Sequence, residues 1–368
     1  MLAAGLLLAT PMVLSACGDS DQQAVSSDST AVAATECPTK PLDVVVSVDQ
    51  WGGIVSELGG VCANVTTVLA SSSVDPHDYE PAPSDAALFD GAQLVVINGG
   101  HYDEWAAKLA ASSAPDAPVI NAVKLSNERT GDAGDDHEGH GHDAGAGDGH
   151  EGHGHDAGAG DGHEGHGHEA GAGDGHEGHG HDAEGGHDHG GGGNEHVWYN
   201  PWAVNEVAEA VTTQLGRLAP EAVGYFNKRQ SAFDDEMEPY YDTIYEIQAG
   251  ASGKSFAATE SVFDEMAAAL GLENRTPEGY QAASAHEAEP GPADLDAFLR
   301  LLDGRGVDVL IYNTQTAGSV PEQIRAAAQE SGVPVVEVTE TVPTDTKSFE
   351  VWQVAQLTAL AEALGIPV

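Results

Sequence analysis

Short strand-like runs alternate with helix-like segments in two separate blocks of this 368-residue chain, and this alternation limits its possible folds more than any other feature. In the first block, apolar and β-branched runs cover residues 42–48, 63–70, 92–100 and 117–123. Helix-like stretches such as "DQWGGIVSELGG" and "HYDEWAAKLAASS" separate them. Since strand–helix–strand repeats build parallel sheets with right-handed crossovers, we predict an α/β lobe here.

The second block repeats the pattern, with strand-like runs over 254–260, 280–284, 307–313 and 333–340. Between the blocks, residues 220–250 read as a single helix of about thirty residues, which is long for a globular protein. We therefore predict two doubly wound parallel-sheet lobes joined by one long rigid helix. The expected bounds are 37–217 for the N-terminal lobe, 218–250 for the linking helix and 251–368 for the C-terminal lobe.

A low-complexity tract interrupts the first lobe over residues 131–193, with four copies of a 13-residue unit such as "HEGHGHDAGAGDG". Its glycines and acids cannot bury a core, so we expect it to be disordered without metal. We expect its histidines to bind several metal ions weakly, as an accessory to a site elsewhere. They are His137, His140, His142, His150, His153, His155, His163, His166, His168, His176, His179, His181, His187 and His189.

The N-terminus predicts export and lipid anchoring. Residues 1–17 form an apolar signal-like stretch ending in "LSAC", a pattern that resembles a bacterial lipobox with Cys17 as the lipidated residue. Residues 18–36 then read as a flexible tether. We expect an extracytoplasmic monomer attached to the bacterial cell membrane by this lipid only.

Two further cysteines, Cys37 and Cys62, remain for disulfide formation outside the cytoplasm. We expect them to pair, and two unpaired buried thiols are the alternative.

The charge of the chain argues against nucleic acid as a partner, because 13 Lys and Arg against 60 Asp and Glu give a formal net charge of −47. Such a surface repels nucleic acid.

Four of the 18 histidines lie outside the tract: His77, His101, His196 and His286. Ligands of doubly wound sheets gather where the strands end. His77 lies in the loop after the second strand, Glu260 and Glu340 directly follow strands, and His196 stands where ordered sequence resumes after the tract. Two imidazoles and two carboxylates suit zinc or manganese. Taken singly, each residue also fits an ordinary role, such as a turn residue or a first-turn acid.

Five motifs, "DPHDYEPAPSD", "NGGHYDEW", "HVWYNP", "EAEPGPADLDAF" and "VVEVTETVP", together resemble the solute-binding proteins of zinc and manganese ABC importers. The resemblance runs from Leu42 to the C-terminus, apart from the tract. It implies that His77 and His196 are metal ligands. Glu260 occupies a third ligand position that is His in typical zinc members and Glu in typical manganese members. Glu340 matches a fourth position that is usually Asp.

The same resemblance places His101 and Glu104 near the pocket wall, where we expect them to contact the ligands. We expect His286 to lie at the surface or at the rim of the pocket and not to be a ligand. The resemblance implies a receptor that captures a divalent ion between two lobes and delivers it to a membrane permease, without catalysis. The imidazole-rich tract favours zinc, whereas Glu260 favours manganese, and we expect zinc.

Two other functions are compatible with the sequence. The first is a metal buffer or adhesion lipoprotein that works through the tract. The second is a metallohydrolase, which is disfavoured because HExxH is missing from the folded part of the sequence.

Overall fold

The computed structural model describes residues 36–70, 79–130, 194–286, 288–316 and 318–368, and the side chains of residues 129 and 130 are left out. Cys17, His77 and the fourteen histidines of the tract lie outside the described residues.

Eight strands form two parallel sheets of four strands each, as the sequence predicted. Their order is β2-β1-β3-β4 in the first sheet and β6-β5-β7-β8 in the second. In both sheets the chain reverses its direction of winding between the two central strands, which opens a crevice at the carboxyl ends of those strands. The strands are β1 Leu42–Val48, β2 Ala63–Leu69, β3 Leu94–Ile97, β4 Val119–Asn121, β5 Ser255–Ala258, β6 Glu273–Asn274, β7 Val309–Asn313 and β8 Val335–Val338.

Helices cover the faces of both sheets. Short 3-10 turns at Gly60–Cys62, Val197–Tyr199, Pro220–Ala222 and Ser261–Phe263 connect some of them. The helices are α1 Asp49–Gly59, α2 Pro83–Phe89, α3 Glu104–Ser113, α4 Ala122–Thr130, α5 Pro201–Leu218, α6 Val223–Gly250, α7 Asp264–Leu270, α8 Glu278–Ser284, α9 Pro292–Asp303, α10 Ser319–Ser331 and α11 Phe349–Leu364.

The linking helix α6 is 28 residues long and begins at Val223, because α5 continues to Leu218 and Pro220 starts a separate turn. It contacts α1 and α5 of the first lobe and α7 and α11 of the second. The residues it buries recur every three, four or seven positions, so they form one stripe along the helix. They are Phe226, Phe233, Met237, Tyr240, Ile244 and Ile247.

The segment "YQAAS" was wrongly predicted to be a strand. Residues 280–284 belong to α8, where Gln281 N donates to Pro277 O at 2.9 Å and the Tyr280 ring packs edge-on against Phe298 at 4.8 Å. The edge strand is instead β6, which is only two residues long. A run of five half-apolar residues fits a strand or a helix equally well, and the packing of Tyr280 decides between them.

One apolar core extends through both lobes, from Trp51 on α1, through Trp198 and Phe226, to Leu360 on α11. Such an interface fixes the two lobes against each other far more firmly than a polar contact would. Cys37 and Cys62 form a disulfide with their Cα atoms 5.0 Å apart, which ties the start of β1 to the turn before β2. Within the described ranges, no helix has both the length and the apolar character needed to cross a membrane.

Candidate metal centre

The candidate site lies where strands of the second sheet end. Glu260 follows β5 by two residues, Glu340 follows β8 by two residues, and Asn313 is the last residue of β7. His196 immediately precedes the turn Val197–Tyr199 that leads into α5. One ligand atom from each of His196, Glu260 and Glu340 lies within 4.8 Å of the others, a spacing that could hold a metal ion. The structure thus brings together three of the four ligands expected from the sequence.

Asn313 holds the two carboxylates in place. Its Nδ2 donates to Glu260 Oε2 at 2.6 Å and to Glu340 Oε1 at 2.7 Å. Thr316 Oγ1 also donates to Glu260 Oε2. Two carboxylates this close repel each other, and a shared amide donor offsets part of that repulsion before any cation arrives.

The orientation of His196 is set by its neighbour Asn194. Asn194 Oδ1 lies 2.8 Å from His196 Nδ1 and also accepts from the His196 backbone N–H at 3.0 Å. An amide oxygen can only accept, so we assign the ring proton to Nδ1, which leaves the lone pair of Nε2 for a metal. His196 Nε2 lies 3.9 Å from Glu340 Oε2, on the side of the carboxylates.

Aromatic rings enclose His196, which is only 4% exposed. Tyr102 and Trp198 contact its ring edge-on, at centroid distances of 6.0 and 5.3 Å. Tyr102 also donates a hydrogen bond to Glu340 Oε2 at 3.4 Å. Complete burial, and then the charge of Glu340, raise the pKa of the Tyr102 hydroxyl well above its usual value, so it stays a neutral donor. The enclosure lowers the local dielectric constant and strengthens the attraction of a cation to the carboxylates.

The backbone of Glu340 is held from both lobes. Gln50, on α1, donates from Nε2 to Glu340 O and to the Tyr102 hydroxyl, both at 2.9 Å. From the second lobe, Gln315 Oε1 accepts from Glu340 N at 2.7 Å and from Thr341 N at 2.9 Å. Sequence reasoning missed these supporting residues. Among them, only Asn313 could have been recognised from the sequence, because it is a polar residue at the end of a predicted strand.

The two residues that we expected to contact the ligands have other partners instead. His101 is exposed, and its backbone N–H donates to Glu195 Oε1 at 2.6 Å. Glu104 forms an exposed ion pair with Lys108 at 2.9 Å. Between them in sequence, Tyr102 is the residue that reaches a carboxylate of the site.

Next to Tyr102, the buried Asp103 shapes the loop after β3. Its carboxylate accepts from Asn98 N and Gly99 N, both at 2.7 Å, and from Ser47 Oγ at 2.5 Å. Burial raises the pKa of Asp103 to about 6 despite these donors. His286, which we expected at the surface or at the rim of the pocket, is exposed after α8.

Comparison with known proteins identifies the family of this chain. Residues 44–363 match the family model described as ZnuA, zinc-uptake complex component A, periplasmic. The chain is similar to the high-affinity zinc uptake system protein ZnuA of Bacillus subtilis, with 24% identity over 259 residues, covering 70% of this chain and 66% of that protein. It is also similar to the manganese-binding lipoprotein MntA of Halalkalibacterium halodurans, with 28% identity over 89 residues, covering 23% of this chain and 29% of the relative. The aligned part of the chain thus spans less than two thirds of the length of either relative.

Among solved structures, the fold is similar to that of the periplasmic zinc binding protein TroA from Treponema pallidum. The TM-score is 0.61 at 15% identity, covering 89% of this chain and 99% of that one. At this identity the likeness concerns the fold alone. The family model, by contrast, covers nearly all of both lobes, and the chain therefore belongs to the ZnuA family, whose model describes the periplasmic component A of a zinc-uptake complex.

Proposed function

We propose that this chain captures one divalent metal ion with His196, Glu260 and Glu340 and delivers it to a permease in the membrane. The observation that carries the proposal is the convergence of these three side chains, with one ligand atom each within 4.8 Å of the others. We assign His77 as the fourth ligand, on the resemblance of its "DPH" motif to the family pattern.

The chemistry of the site suits binding better than hydrolysis. A catalytic metal needs an open coordination position for an activated water, whereas four protein ligands close the coordination sphere of a small divalent ion. Asn313 donates to both carboxylates, and each carboxylate offers an oxygen to the cluster with His196, so we assign both as metal ligands and neither as a general base.

For the metal, we propose zinc first and manganese second. Imidazole ligands suit zinc, and the fourteen histidines of the tract bind manganese weakly by comparison. The two carboxylates of Glu260 and Glu340 suit either ion. We therefore expect this chain, with Glu260 in the site, to bind manganese measurably as well.

We propose that the tract over 131–193 collects ions and passes them to the centre. Its last residue, 193, directly precedes Asn194, the residue that orients His196, so the tract is joined in sequence to the site. Glycine-rich repeats do not fix one geometry, and each ion is held by whichever imidazoles are nearest.

We further propose that lipidation at Cys17 keeps the receptor at the outer face of the bacterial cell membrane, beside its permease. In support, one relative, MntA, is named a lipoprotein.

We also propose that residues 37–217 and 251–368 form the two lobes and that residues 218–250 link them.

The test is a competitive titration of zinc against manganese with a variant in which residues 134–189 are replaced by a short glycine-serine linker. We expect one site per chain with zinc bound more tightly, and Glu260→His should increase the preference for zinc. Alanine substitution of His77 or His196 should weaken the site, whereas His286→Ala, a matched exposed histidine, should not.

Two results would reject the proposal in different ways. If the variant loses nearly all bound metal, the protein is a buffer that works through its tract. If it binds metal normally but His196→Ala and Glu260→Ala leave the affinity unchanged, the ligand assignment is wrong.

A further inference from the structure

A cavity that shares no residue with the metal centre lies between the start of α5 and the C-terminal part of α6, from Phe233 to Gln248, and measures about 280 Å³. Four aromatic side chains line it, together with a single carboxylate, that of Asp234, and no described lysine, arginine or histidine. The aromatic residues are Trp202, Phe233, Tyr241 and Tyr245. We propose that this cavity binds a small organic cation, of the ammonium or quaternary ammonium class.

The aromatic lining combines a buried floor with an exposed rim. Phe233 is only 2% exposed, whereas Trp202 and Tyr245 are 47% and 64% exposed. Large aromatic side chains left at the surface around a concavity mark binding sites more often than core packing. The faces of Trp and Tyr rings carry negative potential and attract cations, Trp most strongly.

The carboxylate of the cavity is exposed and is oriented by a hydrogen bond within its own helix. Gln230 Nε2 donates to Asp234 Oδ1 at 2.7 Å, and Gln230 Oε1 accepts in turn from Thr212 Oγ1 at 2.6 Å. Gln230 and Thr212 are both neutral, so these hydrogen bonds leave the negative charge of Asp234 in place. An anion beside aromatic faces gives a cation two attractions at once, and a neutral ligand of the same shape gains neither.

The polar groups at the rim of the cavity include no described cation that would attract an anion. Gln248 and Asn205 each use one amide N–H on another partner, Ala269 O at 2.5 Å and Glu209 Oε1 at 3.1 Å, and each also has an amide oxygen that accepts hydrogen bonds. Burial, and then the charge of Asp234, raise the pKa of the neighbouring Tyr241 to about 12, so its hydroxyl stays uncharged. The size fits a ligand smaller than a typical drug, with one cationic head and a few carbons.

Choline and its neutral carbon isostere, 3,3-dimethylbutan-1-ol, test the proposal directly. Each is titrated into the full chain, with and without zinc, and followed by calorimetry and by tryptophan fluorescence. We expect choline to bind at one site, and the neutral isostere to bind at least about fivefold more weakly. Asp234→Asn and Tyr245→Leu should each weaken choline binding by about fivefold or more, and Trp202→Leu should remove the fluorescence response.

Asp242→Asn is the matched control, because Asp242 is an exposed acid on the same helix that does not line the cavity. Zinc titration of every variant checks that the lobes remain folded. Equal binding of choline and the neutral isostere, choline affinity that survives Asp234→Asn, or no choline binding up to about 50 mM would each overturn the proposal.

Discussion

Gln50 of the first lobe donates a hydrogen bond from Nε2 to the backbone carbonyl of Glu340 in the second lobe, at 2.9 Å. Both residues are buried, and the same Nε2 also donates to the hydroxyl of Tyr102, which donates to Glu340 Oε2. Gln50, which is not a ligand, thus helps to position the carboxylate of Glu340 from the opposite lobe.

Replacement of Gln50 by Met should therefore affect stability and binding together. It keeps the shape but leaves the Glu340 carbonyl without this donor, which we expect to lower the free energy of unfolding by about 1–3 kcal/mol. Zinc affinity should fall as well, since Glu340 is less well fixed. Urea denaturation and competitive zinc titration measure the two effects, with the exposed Gln329→Met as control. Unchanged zinc affinity would show that Gln50 has no positioning role.

Asn313 offers a second test, because one amide orients both Glu260 and Glu340. We expect Asn313→Ala to weaken zinc binding by about 10–100-fold, as removal of a group that orients metal ligands commonly does. The exposed Asn227→Ala should leave the affinity as it is. If Asn313→Ala binds zinc like the original protein, the carboxylates are held by other contacts.

The disulfide between Cys37 and Cys62 closes a loop with a sequence separation of 25 residues. From the entropy of closing such a loop, the double variant Cys37→Ser, Cys62→Ser should lose about 3 kcal/mol of unfolding free energy. Thermal unfolding with and without dithiothreitol provides the measurement. The reductant should lower the Tm of the original protein only, and an equal Tm in all samples would contradict the prediction.

Three carboxylates from different helices meet where the lobes join: Glu57 on α1, Glu236 on α6 and Glu350 on α11. Burial, and then the hydrogen bond and charge of Glu236, raise the pKa of Glu57 to about 8 from 4.5. The opposing charge of Arg229, whose Nε donates to Glu57 O at 2.6 Å, only partly offsets this.

Because the folded protein holds this proton more tightly than the unfolded chain, its contribution to stability is complete below pH 4.5 and is lost as the pH rises through about 8. Glu57→Gln should flatten this decline, whereas Glu238→Gln, an exposed acid on α6, should not. Urea denaturation at pH values from 5 to 9 measures it. The same slope in both variants would refute the assignment to Glu57.

The sequence alone determined the two parallel sheets and the long helix between them. It also indicated Glu260 and Glu340, because side chains that follow parallel strands meet at one edge of the sheet whatever the details of packing. The short run at 280–284 was ambiguous, since five residues carry too little periodicity to separate a strand from α8.

Tertiary structure alone decided which residues support the site. Gln50 and Glu340 are 290 positions apart, and no local pattern links them. Asn194, Asn313 and Tyr102 are ordinary polar or aromatic residues in sequence. They orient the ligands only because the core shared by both lobes brings the loop after β3, strand β7 and the turn before α5 to the same crevice. Strand ends are fixed by local sequence, whereas contacts between lobes depend on how the whole chain packs.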